Sequence, residues 1–142
     1  MIEFTTKVRP SMILEMDVQI EQQNQEQLTP ETIFQFVMTG KAWAARHNGK
    51  VVALAGYVPV WEGRCVLWGL LGSDAGPAMA ALIQRTRQEL KQVQVEFPRV
   101  EAYAARNHEA AHRLLKLMGF KSEGMMRKFH KGNDYVLYAK VN

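Results

Sequence analysis

Between Lys41 and Leu71 the apolar residues stop recurring at helical spacing. KAWAARH and KVVALAGYVPV flank Asn48-Gly49, and Glu62-Gly63 then leads into RCVLWGLLG. Asn-Gly between two apolar runs is the strongest short-range signal for a tight antiparallel hairpin, because both turn positions require positive φ. A run as apolar as RCVLWGLLG belongs near the middle of a sheet, with both faces covered. These three strands set the frame into which the rest of the chain must fit.

After them the period returns to 3.6. From about Pro77 to Val95, Met79, Leu82, Ile83, Thr86, Leu90 and Val93 form one stripe, with Gln84, Arg85, Gln88, Glu89 and Lys91 outside it. RVEAYAA follows as a short strand. A strand–helix–strand crossover is right-handed and pairs its two strands in parallel. HEAAHRLLKLMGF is a second helix, with Ala111, Leu114, Leu115 and Met118 on one face and Gly119 as its stop. EGMMRKFH, KGND and YVLYAKV read as a closing hairpin turning at residues 131–134.

The first third is expected to be helical or irregular. SMILEMDVQI has apolar residues in helical register, and EQQNQEQ is polar enough to face water. TPETIFQFVMTG starts a helix with Thr29 as N-cap, Pro30 at the first position and Glu31 near the positive end of the dipole. Its apolar face is Ile33, Phe34 and Val37, and Gly40 stops it. The expectation is one mixed α/β (α+β) domain over residues 1–142. Its order is two helices, three antiparallel strands, helix, strand, helix and two strands.

With 142 residues, 47% of them hydrophobic, the chain can bury about two-thirds of its unfolded surface around one core. No apolar stretch nears the roughly 20 residues of a membrane span, and MIEFTTKVRPSM lacks the core of a signal peptide. A cytoplasmic location without membrane contact is therefore expected. The single cysteine, Cys65, excludes an internal disulfide, suits a reducing compartment and reads as strand filler. The net charge of +4 is spread thinly, with no dense basic run or aromatic–basic motif, so nucleic acid is not the expected partner. No His, Cys, Asp or Glu set has metal-ligand spacing.

LLGSDAGPAMAAL, residues 70–82, carries the most chemistry. A strand runs through Leu70 and Leu71 into a loop of Ser73, Asp74, Ala75 and Gly76, and Pro77 and Ala78 open the helix. Unpaired N–H groups and the helix dipole attract phosphate there, and Gly76 lets it approach the backbone closely. An ordinary helix start, capped by Ser73 or Asp74, explains the same residues. The Asp74 carboxylate, which would repel phosphate, favours the cap.

The element order, Gly76 and Ala78 in that loop, and Gly119-Phe120 closing the later helix resemble the Gcn5-related N-acetyltransferase (GNAT) superfamily over nearly the whole chain. The resemblance implies a mostly antiparallel sheet of six or seven strands with a parallel, splayed fourth and fifth pair. About four helices would cover its two faces. It implies acetyl-CoA as cosubstrate, no metal, and direct acetyl transfer to an amine in a ternary complex. Backbone from Trp68 to Leu71 would pair with the pantetheine arm, and an amide near Leu70 or Leu71 would polarise the thioester. Ser73, Ala75, Gly76, Pro77 and Ala78 would hold the pyrophosphate, though Ser73 replaces the family's usual Gln or Arg.

His108 stands where the family often has a cofactor-contacting Asn, or simply starts its helix. Arg113 can meet a phosphate or face solvent. The family's usual proton-donating Tyr falls at Leu115, which cannot donate. Tyr103 is the nearest phenol to the gap, or a cross-strand packing residue. Glu101, on its face by alternation, can take the amine proton, bind a basic acceptor or face water. His47 and His130 read as turn flanks. The acceptor would be an amine-bearing small molecule or protein, entering past EQQNQEQ and KFHKGND, and a homodimer is compatible. The short chain and drifted loop also resemble small bacteriophage-encoded members, which would work in the host cytoplasm. Leu115, Ser73 and Asp74 favour an alternative: a catalytically silent GNAT-fold module that binds a host protein or serves in the virion.

Overall fold

A computed structural model describes residues 1–17 and 30–142. Seven strands form one sheet in the order β1-β2-β3-β4-β5-β7-β6. They are β1 (Ile2–Thr5), β2 (Lys41–His47), β3 (Lys50–Trp61), β4 (Arg64–Leu71), β5 (Arg99–Ala105), β6 (Lys121–His130) and β7 (Asn133–Val141). Every neighbouring pair is antiparallel except β4 and β5, which are parallel as the crossover demands. A 3-10 helix (Pro10–Glu15) and α1 (Pro30–Thr39) precede β2; α2 (Met79–Glu96) joins β4 to β5; α3 (Glu109–Leu117) follows β5. This is the mixed α+β fold expected from the sequence, with the parallel central pair and about four helices.

Alternation along the central strands sorts the core into two faces. Cys65 and Leu67 of β4, with Val100, Ala102 and Ala104 of β5, pack against Leu90 and Val93 of α2 and Leu115 and Met118 of α3. Trp68 and Leu70 point the other way, toward Val8, Met12, Phe36 and Val37 of the N-terminal segment and α1. Asn48 and Gly49 both take positive φ in the β2–β3 turn, as their pairing predicted. Gly119, at φ 93, closes α3 so that Phe120 turns back into the core.

Several local expectations are corrected. Ile2–Thr5 is a strand paired with β2, in a region expected to be helical or irregular. Its four residues are too few to show a period. SMILEMDVQI enters the 3-10 helix as far as Glu15, and the backbone extends at Met16; residues 18–20 of that stretch, Thr29, EQQNQEQ and the side chain of Ile33 lie outside the described residues. In α1, Phe36 and Val37 pack inward while Phe34 is exposed. Helix α2 begins at Met79 after a 3-10 turn over Gly76–Ala78, two residues later than expected. Glu89, read as outward-facing, is buried and held by Lys41 at 2.8 Å and Arg85 at 3.1 Å.

Candidate functional site

The parallel pair comes apart partway along. β4 and β5 pair at Arg64↔Arg99, Cys65↔Val100 and Val66↔Glu101, and the ladder ends there. Beyond that point β4 stays with β3 as far as Leu71↔Ala53, and β5 stays with β7 as far as Ala105↔Tyr135. Gly69 on one strand and Ala102, Ala104 and Ala105 on the other are too small to fill the wedge. A cavity of about 440 Å³ opens between them, within the usual range of small-molecule sites.

The cavity runs from one face of the sheet to the other. On the α2/α3 side its wall includes Leu82, Thr86, His108, Ala111 and Leu115. On the α1 side it includes Phe36, Trp68, Tyr103, Phe129, His130 and Tyr135. The rings there touch in chains: Tyr103 to Phe129 at 5.4 Å, Phe129 to Tyr135 at 5.5 Å, and Phe36 to Trp68 at 5.5 Å between centroids. The Trp68 indole lies against Gly56, where a Cβ would stand 2.8 Å from Cζ2. Only glycine at 56 leaves room for that ring.

The loop of residues 73–78 sits at one end of the wedge. Ala75 and Ala78 are buried in the same cluster as Leu71 and Leu82, both of which line the cavity. Ser73, Gly76 and Pro77 are exposed, and a Cβ at Gly76 would meet nothing within 4 Å. The loop backbone at Gly76 is thus open to a ligand. Neither Ser73 nor Asp74 caps a helix, because the helix and the turn before it have no side-chain cap. Ser73 Oγ donates to Asp17 Oδ2 at 2.6 Å, and Lys50 Nζ binds Asp74 Oδ2 at 2.9 Å.

Of the expected site residues, Trp68, Leu71, Tyr103 and His108 line the cavity. Leu70 faces the α1 side of the core, and Arg113 is exposed on α3. Glu101 is 4% exposed and lies between two guanidiniums. Arg64 donates to it at 2.7 and 2.8 Å and Arg99 at 2.6 Å. Arg64 first, then Arg99, hold its carboxyl down at about 2. A carboxylate so stabilised is a poor proton acceptor. The Tyr103 hydroxyl reaches Glu101 Oε1 at 3.4 Å, and burial, then the Glu101 charge, push its pKa up. Tyr103 therefore keeps its proton at neutral pH. Leu115 is buried. Cys65 is buried, and desolvation pushes its thiol up to about 11, which makes it inert.

Sequence reasoning missed two features. His130, expected as a turn flank, lines the cavity, and its Nε2 is buried with no protein partner. Trp68 Nε1 is in the same condition. On the other face His112 Nε2 lies 3.0 Å from the carbonyls of Ala105 and Arg106, so it carries the ring proton. Its Nδ1 then accepts from the Tyr138 hydroxyl at 2.7 Å. The period of 2 along β7 separates Tyr135 from Tyr138, but only the register with β5 shows which one reaches the gap. Among the described residues no His, Cys, Asp or Glu cluster could hold a metal, and no helix is long and apolar enough to cross a membrane.

No protein-family model and no curated protein matches the chain. Solved structures do. The ribosomal-protein-S18-alanine N-acetyltransferase of Escherichia coli superposes with a TM-score of 0.75 at 16% identity, covering 99% of this chain and 94% of that one. A GNAT family acetyltransferase from Elizabethkingia anophelis, with acetyl-CoA bound, gives 0.70 at 12% identity over 100% and 97%. The ribosomal-protein-S5-alanine acetyltransferase of Vibrio fischeri gives 0.72 at 14% identity over 99% and 93%. These three neighbours are bacterial proteins and lend no support to a bacteriophage origin. The chain has the fold of the GNAT-family acetyltransferases, with the wedge between β4 and β5 as its candidate site.

Proposed function

We propose that the protein is an acetyl-CoA-dependent N-acetyltransferase and that residues 1–142 act as one acyltransferase-like domain. One observation carries this reading: the wedge between β4 and β5 leads to a loop whose backbone is open at Gly76. Acetyl-CoA supplies the acetyl group as an activated thioester. Backbone from Trp68 to Leu71 binds the arm, and the Leu70 or Leu71 amide polarises the carbonyl as charge develops on its oxygen. Ser73, Ala75, Gly76, Pro77 and Ala78 take the diphosphate at the start of α2. His108 lines the arm's side of the cavity, and Arg113 offers charge from the surface of α3. Tyr103, the cavity phenol that keeps its proton, delivers it to the leaving thiolate. Glu101 orients that phenol while held by Arg64 and Arg99. The acceptor is an amine of a small molecule or protein, attacking directly. Absence of a spanning helix among the described residues is compatible with a cytoplasmic enzyme, as monomer or homodimer.

The alternative is a catalytically silent module of the same fold that acts by binding protein, in a bacteriophage setting or otherwise. Leu115 at the usual phenol position and the acid at Asp74 favour it. Calorimetric titration with acetyl-CoA, followed by thiol release over an amine panel, separates the two. Gly76→Glu is the control, because its side chain enters open space without strain. Binding lost in Gly76→Glu, with thiol release by the native protein, supports the enzyme. Absence of native binding overturns it. Binding without thiol release on any amine supports the silent module.

A further inference from the structure

The two edges of the sheet are finished differently. β6 slips register against β7 between Ser122 and Gly124 and again between Met126 and His130, and Gly124 and Lys128 take positive φ. Bulges of this kind blunt an edge against further strands. β1 pairs with β2 in unbroken register from Ile2↔His47 to Thr5↔Ala44 and ends the sheet on the other side. Beside it lies a second cavity of about 350 Å³, whose wall includes Glu3, Thr5, Lys7, Arg9, Met12 and Arg46. It shares no residue with the wedge.

We infer that β1 is a docking edge for an extended segment of another protein that alternates acidic and apolar side chains. The segment adds to the sheet beyond β1 and sets its acids over Lys7, Arg9 and Arg46.

Three observations fix the chemistry of the guest. First, the backbone at this edge is open. Asn48 N–H donates to Met1 O at 3.1 Å, which makes Met1 and Asn48 a hydrogen-bonded pair. Alternation along the antiparallel ladder then turns the N–H and C=O of Ile2 and Phe4 away from β2. An incoming strand satisfies donors and acceptors alike, whereas a small anion has nothing to donate to the carbonyls.

Second, the cavity is basic, with Lys7, Arg9 and Arg46 set against the one carboxylate of Glu3. Glu3 lies opposite Arg46 in the register, which offsets its charge. Arg46 Nη1 donates to Glu15 Oε1 at 3.1 Å and to Gly49 O at 2.9 Å, so its guanidinium is held in the wall. Lys7 and Arg9 are exposed and form no ion pair among the described residues. An acidic side chain there gains attraction without displacing a partner.

Third, the two faces of β1 differ. Glu3 and Thr5 line the cavity, while Ile2 and Phe4 are half-buried against the cluster of Val52, Leu71 and Leu82. Side chains of a guest strand alternate between the same two faces. Those over the cavity meet cations, and those on the other face extend an apolar surface beside Ile2 and Phe4. Acid and apolar therefore have to alternate.

The test is fluorescence anisotropy of a labelled, end-blocked peptide Val-Glu-Val-Glu-Val-Glu on the intact protein, at low and high salt. Its controls are Val-Lys-Val-Lys-Val-Lys and the composition-matched block Val-Val-Val-Glu-Glu-Glu. The alternating acidic peptide should bind at least about tenfold tighter than the lysine peptide and about fivefold tighter than the block. Its affinity should fall as salt rises. Lys7→Glu combined with Arg9→Glu should weaken it at least about tenfold; both positions are exposed, so the melting temperature should hold. Hydrogen exchange at the Phe4 amide should slow severalfold in the complex, a change that charge attraction alone does not produce. Equal binding of the block peptide, or unaltered exchange at Phe4, overturns the docking edge and leaves a basic patch. Failure of the alternating peptide to bind overturns the inference outright. None of these outcomes touches the acetyltransferase reading, because the cavity at β1 uses neither the wedge nor the residue 73–78 loop.

Discussion

Lys50 Nζ lies 2.9 Å from Asp74 Oδ2, so the acidic residue of the residue 73–78 loop is turned toward the β2–β3 hairpin and neutralised there. The hydrogen bond and charge of Lys50 lower the Asp74 pKa, and Asp74 in turn raises that of Lys50. The loop's one unfavourable charge for a phosphate is thereby offset by a residue from a different element.

Removing either partner should move acetyl-CoA affinity in opposite directions. Lys50→Ala leaves Asp74 uncompensated and should weaken binding about two- to fivefold at low salt; Asp74→Asn should strengthen it by a similar factor. Both groups are more than a third exposed, so the differences should shrink as salt rises. Calorimetry at two ionic strengths reads this. Weaker binding in Asp74→Asn would mean that the carboxylate shapes the loop rather than repelling the ligand.

Glu101 gives a pH signature. Its carboxyl titrates at about 2 when folded, against the ordinary 4.5, so its stabilisation is complete above about pH 5. It is lost as pH falls through the folded value. The shift corresponds to roughly 3 kcal/mol, reduced by solvent at the partly open guanidiniums to about 2 kcal/mol. Glu101→Gln should therefore unfold at lower temperature than the native protein at pH 7, and the two melting curves should converge as pH approaches 2. A gap independent of pH would show that packing, not charge, is lost.

Much of this fold was legible because its signals are local. Asn48-Gly49, the apolar run of β4, the stripe of α2 and Gly119-Phe120 each act within a few residues, and together they left few topologies. The strand Ile2–Thr5 was hidden because its stability comes from pairing with β2, forty residues away, and not from its own pattern. The wall of the wedge was legible in part: Trp68 lies on it, and Gly76 is exposed in the loop at its end. It was not legible where long-range register makes it. Alternation puts Arg99 beside Glu101, but nothing in RVEAYAA says that Arg64 will close on it from β4, and nothing near KFHKGND says that His130 turns inward. The alternative reading of a helix cap by Ser73 or Asp74 failed for the same reason, because Asp17 and Lys50 hold those side chains.

Gly56 sets the position of Trp68. A methyl group there would meet Lys41 O at 2.5 Å and the indole at 2.8 Å, so Gly56→Ala must push either β2 or the ring. Overpacking of this kind costs about 1–3 kcal/mol. The expected outcome is a lower melting temperature together with altered tryptophan fluorescence, both absent in a Gly69→Ala control. At Gly69 the nearest atom to an added Cβ is Leu54 O at 3.8 Å. Unchanged fluorescence in Gly56→Ala would mean that the strand, not the indole, gives way.

The Tyr138–His112 pair separates scaffold from site. Tyr138 is 3% exposed, belongs to the α2/α3 core cluster and does not line the cavity. Its hydroxyl donates to His112 Nδ1, while His112 Nε2–H ties α3 to the end of β5. Tyr138→Phe keeps the ring but leaves a half-buried imidazole nitrogen unpaired, which costs about 1–2 kcal/mol. His112→Ala also frees the carbonyls of Ala105 and Arg106 and should cost more. Neither change touches the wedge or the residue 73–78 loop, so acetyl-CoA affinity measured well below the melting temperature should stay within about twofold. A large loss of affinity in Tyr138→Phe, with the fold intact, would instead place this phenol within the binding machinery.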